Sequence, residues 1–214
     1  MKKSKNYFAN FISYLFHPLF MPSLGILFFY FSKKINGFNM YTSDAMNKDN
    51  IIVLSVTLIF LLLIPALCVY ILKKLNKISS YRMPKREERI LPFFLMTMSI
   101  MYAYYLLFND LNVQVELVIR LFYIGCFLSI LSALTITLQW KISIHMIGVG
   151  GFTGALFLLN YMYNSDNTTT LVVAILISGI VAYSRLKLSA HSLKQVVAGY
   201  VLGFLCQAWT MAIL

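Results

Sequence analysis

The sequence predicts an all-α, polytopic membrane protein, a bundle of six or seven transmembrane helices. Three observations predict it. Hydrophobic residues make up 60% of the 214 residues and charged residues only 12%, a balance foreign to ordinary soluble domains. Several windows exceed the run of roughly 18 apolar residues that a spanning helix needs. The charges gather in the short segments between those runs, where they set orientation and meet anionic headgroups.

Each element follows from the pattern. Residues 1–6 are basic and polar. Residues 7–32 are apolar but interrupted by His17-Pro18 and Pro22, which fits one kinked span or an interfacial helix followed by a short span near 20–33. No small-residue cleavage site follows that first apolar run, so a membrane segment is expected rather than a cleaved signal peptide. A polar loop covers 33–50, and a span containing Pro65 covers 51–72. A strongly basic loop covers 73–89, the next span 91–108, and a connection with Asp110 and Glu116 follows. The span 117–139 ends at the interfacial pair Trp140-Lys141. Residues 142–163 cross again, 164–168 form a polar loop, and 169–183 and 196–214 make the last two spans. Gly150-x3-Gly154 and Gly199-x3-Gly203 let two late helices approach neighbours closely.

The net charge of +11 would suit nucleic acid, but its confinement to loops between apolar helices argues for lipid instead. If every run crosses once, one face collects the basic start, the 73–89 loop, Lys141 and the 185–194 turn. The positive-inside rule assigns that face to the cytoplasm. The three cysteines, Cys68, Cys126 and Cys206, lie in apolar runs without metal-ligand spacing and read as small buried hydrophobes.

Three basic clusters fall on that face. Arg82 and Arg89 flank Met-Pro-Lys-Arg-Glu-Glu before the third span and would project together if this stretch were helical. Lys141-Ile-Ser143-Ile-His145 opens the fifth span, and Ser184-Arg185, five residues, His191, three residues, Gln195 joins the last two. His191 and Gln195, four apart, share a helical face. Ionisable groups among apolar helices are a functional hypothesis by default. Arginine forks match phosphoryl oxygens, a neutral imidazole can attack phosphorus, and a second can move the proton. His17, at the kink that Pro18 predicts, is expected to be structural. Nothing resembles a Walker loop, a zinc box or a carboxylate cluster.

These residues resemble the type-2 phosphatidic acid phosphatase family, whose motifs are Lys-x6-Arg-Pro, Pro-Ser-Gly-His and Ser-Arg-x5-His-x3-Asp. Ser184, Arg185 and His191 match the third motif, with Gln195 in place of aspartate. Ser143 and His145 match half of the second, and Arg82 and Arg89 match the first in spacing, with Ile90 in place of proline. The resemblance covers roughly residues 80 to 205. It implies a division into 1–80, the N-terminal membrane helices, and 81–214, a phosphatase core. It further implies His191 as nucleophile, His145 as general acid and base, and Gln195 orienting His191. Arg82, Arg89, Ser143, Ser184 and Arg185 would hold the phosphate, with no cofactor and no metal. The expected activity is hydrolysis of a lipid phosphate or polyprenyl diphosphate through phosphohistidine. The expected location is the bacterial inner (plasma) membrane; no nucleic acid partner is expected, and the oligomeric state is open. A lipid phosphotransferase of the same fold and a non-catalytic carrier of an anionic lipid are the alternatives.

Overall fold

The computed structural model describes residues 6–31, 48–111, 113–163 and 168–213. Among these, all regular structure is helical. The helices are α1 (Tyr7–Leu15), α2 (Met21–Phe31), α3 (Lys48–Lys74), α4 (Glu87–Asp110), α5 (Leu117–Thr137), α6 (Ile144–Tyr163), α7 (Thr168–Lys187) and α8 (Leu193–Met211). Five of them, α3 to α7, are long and apolar enough to cross a membrane. The last, α8, has 19 residues but carries Lys194, Gln195 and Gln207 and is not among the five. The expected loops at 33–50 and 164–168 lie mostly outside the described residues.

The apolar run at 7–32 is two helices, broken where the prolines fall. Pro18 disfavours helical backbone at His17, and Pro22 is tolerated in the first turn of α2 because the N–H it lacks would have no partner there. The second helix starts with Met21 against Gly148 of α6 and ends with Phe29 against Phe122 of α5, ring centroids 5.1 Å apart. It therefore descends through the bundle, while α1 stays at one end, packed on α7.

Two helices widen locally into π turns, Leu58–Leu63 in α3 and Leu106–Asp110 in α4. In α3 this turn precedes Pro65, which cannot donate to an ordinary helical ladder. Ser99 of α4 donates to the carbonyl of Phe60 in that π turn, tying α3 to α4. One continuous core joins Ile26, Phe29 and Val53 to Phe122, Ile130 and Ile147, so helices from both sides of the residue 80/81 division share it.

The seam between α6 and α8 is the most extensive helix contact among the described residues. A Cβ at Gly150 would collide with the Tyr200 backbone, one at Gly154 with Phe204, and one at Gly203 with the Ile147 carbonyl. A Cβ at Gly199 would sit 2.6 Å from the Ser143 carbonyl. Both glycine pairs thus interlock, and the helices run parallel with their N-termini at the same end. That geometry puts the start of α6 beside the start of α8.

Candidate active site

Four helix ends and one loop meet at that end of the bundle. Arg89 lies in the first turn of α4, His145 in the first turn of α6, Arg185 in the last turn of α7, and His191 just before α8. Arg89, His145 and His191 are buried, 6%, 8% and 7% exposed. Buried side chains of this kind need partners, and each has them.

The turn from α7 to α8 is tight. Ser189 takes a left-handed φ of 51°, and Ala190 N–H donates to the Arg185 carbonyl at 3.1 Å. Ser192 then caps α8. Its hydroxyl accepts from Gln195 N–H at 3.4 Å, and its own N–H donates to Gln195 Oε1 at 3.2 Å, a capping box. Gln195 Oε1 also lies 3.0 Å from His191 Nδ1. An amide oxygen only accepts, so His191 carries its proton on Nδ1 and presents a lone pair on Nε2. Burial first, then the charges of Arg89 and Arg185, hold His191 down at about 3, against the opposing Gln195 hydrogen bond. The ring is neutral at physiological pH.

The α6 end is fixed by the seam. Ser143 N–H donates to the Gln195 carbonyl at 3.4 Å, joining the two helix starts directly. Lys141 donates to the Ala190 carbonyl at 3.0 Å, and burial together with Arg89 and Arg185 lowers its basicity. Arg89 reaches across from α4, donating through Nη1 to the Ile142 carbonyl at 3.2 Å and through Nε to the Met83 carbonyl at 2.9 Å. Arg185 and His191 both lie within electrostatic reach of His145.

Two buried polar atoms at this site have no hydrogen-bond partner among the described residues: Ser143 Oγ and Arg185 Nε. Ser143 is fully buried. An orphaned hydroxyl and guanidinium nitrogen beside a second arginine suit an anionic ligand.

Two predicted residues sit differently. The stretch before α4 is not helical, with Met83 at φ 42°, so Arg82 and Arg89 share no helix face. Arg82 is exposed and donates to Asn10 Oδ1 at 3.2 Å. Ser184 is buried, but its hydroxyl donates back along α7 to the Ile180 carbonyl at 2.9 Å.

The site also contains groups that sequence reasoning missed, all from α1 and its end. Arg185 Nη1 donates to Ser13 Oγ at 3.1 Å. The Ser13 carbonyl lies 3.1 Å from His145 Nε2. A carbonyl only accepts, so His145 carries its proton on Nε2 and keeps Nδ1 free. The His17 ring stands edge-on to His145 at 5.5 Å, while its Nδ1 accepts from Leu19 N–H across the kink at 3.4 Å. A signal was present: Asn10 and Ser13, three apart, share one face of α1, while Tyr7, Phe8, Phe11 and Tyr14 are exposed. A helix with aromatics outside and small polar residues inside has something polar to meet.

Comparison of the chain with family models, with curated proteins and with solved structures finds no match in any of the three.

Proposed function

We propose that this chain is an integral membrane phosphatase that hydrolyses a lipid phosphate or polyprenyl diphosphate through a phosphohistidine. One observation carries the reading: His191, neutral with Nε2 unprotonated, shares a buried cluster with Arg89, Arg185 and a second imidazole, His145. The motif resemblance supports the same assignment.

In this mechanism Arg89 and Arg185 draw charge from the phosphoryl oxygens, and the Ser143 hydroxyl donates to one of them. His191 Nε2 attacks phosphorus, and the P–O bond to the lipid breaks as the N–P bond forms. Developing positive charge on the ring is shared through Nδ1–H with the Gln195 carbonyl oxygen. His145, whose Nε2–H stays on the Ser13 carbonyl, takes a proton on its free Nδ1 from the bound phosphate monoanion and passes it to the leaving oxygen. The same nitrogen then takes a proton from water as water attacks phosphorus, the N–P bond breaks and phosphate departs. Arg82, tied to Asn10 at the rim, serves to attract the headgroup. The finer topology belongs to this reading: α8 is a sixth crossing, α2 a short descent, and the basic face is cytoplasmic.

The test is release of inorganic phosphate from such lipids by purified protein in detergent with chelator present. His191→Ala abolishes release. Full activity in His191→Ala would refute the nucleophile. Lipid binding without turnover, surviving that substitution, would mark a carrier, and phosphate appearing on a second lipid would mark a transferase.

A further inference from the structure

Lys141 takes no part in that mechanism. In the sequence it reads as an interfacial anchor beside Trp140, and an anchoring lysine extends its ammonium toward headgroups. In the structure it turns inward. Lys141 is half-buried, and its Nζ donates at 3.0 Å to the Ala190 carbonyl, 49 positions along the chain and one residue before His191. The lysines at the end of α3 differ: Lys73 donates to the Ser79 carbonyl six residues on, and Lys74 is exposed, over the ring of Tyr70. The backbone on either side of Lys141 is pinned. Arg86 donates to the Leu138 carbonyl at 2.9 Å, Arg89 to the Ile142 carbonyl at 3.2 Å, and Ser143 N–H to the Gln195 carbonyl at 3.4 Å. The α5–α6 connection is thereby held between the start of α4 and the start of α8, with the α7–α8 turn within reach of its lysine.

What surrounds this ammonium is positive. An ammonium has three N–H donors. Among the described residues the Ala190 carbonyl takes one, and no carboxylate pairs with Lys141. Burial, then the charges of Arg89 and Arg185, lower its basicity, and its own charge is felt at His191. Three cations from separate parts of the chain therefore crowd one place, beside the two orphaned polar atoms, Ser143 Oγ and Arg185 Nε. Cations gathered away from water repel one another unless an anion lies among them. Arg82, which the sequence offers as a third cation, is exposed and engaged with Asn10 at the rim. Lys141 is in contact with the turn that carries His191.

We propose that Lys141 is a substrate-binding residue, a third cationic contact, with Arg89 and Arg185, for the oxygens of the bound phosphoryl group. The inference rests on the phosphatase reading for the nature of that group. One N–H keeps the Ala190 carbonyl, and the other two serve a phosphoryl oxygen. The ammonium acts there as a compact point charge, where an arginine fork takes two oxygens at once. It attracts the phosphate in the ground state and the transition state alike, so its loss falls on affinity and KM more than on kcat.

The test reads binding of inorganic phosphate to the full-length protein in detergent, by titration calorimetry and by inhibition of ester hydrolysis. Lys141→Met weakens phosphate by at least ~10-fold in both, and Lys141→Arg, which keeps the charge, stays within ~3-fold of the wild type. A lysine that only held the Ala190 carbonyl would disturb His191 instead. A fall in kcat with phosphate affinity unchanged therefore overturns the inference. A second measurement uses the wild type alone, and it decides if Lys141→Met fails to fold. Acetic anhydride acetylates lysine amines, and mass spectrometry locates the adducts. Saturating inorganic phosphate slows acetylation of Lys141 by at least ~5-fold, while the exposed Lys74 reacts alike with and without it. Equal reaction of Lys141 in both conditions overturns the assignment. Phosphate binding that depends on Lys141, in a wild type that hydrolyses no lipid ester, would sink the phosphatase reading and leave the Lys141 contact standing. Hydrolysis with unchanged phosphate affinity in Lys141→Met would do the reverse.

Discussion

The α6–α8 seam and the α1 contact hold the same cluster from two sides, by different physics. At the seam, four glycines bring backbone against backbone, and the register of the two helix starts follows from contacts all along their length. On the other side, α1 is nine residues long; Ile12 joins a small apolar cluster with Met146, Val181 and Val196, but the site itself is met only by polar atoms: Asn10 Oδ1, Ser13 Oγ and the Ser13 carbonyl. Packing sums many small attractions and resists displacement. A few hydrogen bonds contribute about 1 kcal/mol each and exchange readily with other partners. The seam therefore sets where the imidazoles are, while α1 sets how Arg185 and His145 are oriented.

The largest expected effect breaks the seam. Gly203→Val drives a branched side chain into the Ile147 carbonyl and should cost about 1–3 kcal/mol or more. Thermal unfolding in detergent should fall by several degrees, and activity should be lost as the helix starts move apart. An unchanged midpoint would mean that the seam is not close packed.

Next comes the orienting residue. Gln195→Ala removes the acceptor of His191 Nδ1–H, worth roughly 1.5–3 kcal/mol where charge develops, so kcat should fall by about 10- to 100-fold. Free choice of tautomer without that fall would show that Gln195 is only a cap. The electrostatics of the same ring can be read separately by nitrogen NMR. With its pKa held at about 3, His191 should stay neutral and show no titration from about pH 5 to 8. Arg89→Met removes one repelling cation and should move the midpoint upward toward the ordinary 6.5. A wild-type midpoint already near 6.5 would remove the argument for a ready nucleophile.

On the α1 side the effect should be smaller. Ser13→Ala deletes one hydrogen bond to Arg185, about 1 kcal/mol, and should weaken inhibition by inorganic phosphate about 5-fold with the fold intact. Ser13→Thr should restore it. A loss as large as that of Gly203→Val would erase the distinction between the two regions. The smallest effect is the control: a Cβ at Gly179 meets nothing within 4 Å, so Gly179→Ala should stabilise α7 by up to about 1 kcal/mol.

The sequence by itself determined the helical class, the helix ends from about 48 to 213 to within a few residues, and the break at His17-Pro18. These depend on runs of apolar residues, on prolines and on loop charges, signals that a local window contains. It also made the α7–α8 turn legible, because Arg185, His191 and Gln195 lie within one short stretch. Glycine spacing announced close helix approach without naming the partners. Tertiary structure alone decided that those partners are α6 and α8, that Arg82 stands at the rim, and that the Ser184 hydroxyl faces its own helix. It alone brought Ser13 and His17 to His145 across more than a hundred residues. Such contacts depend on one or two polar atoms with no periodicity to betray them, and only the packed bundle fixes which helix end meets which.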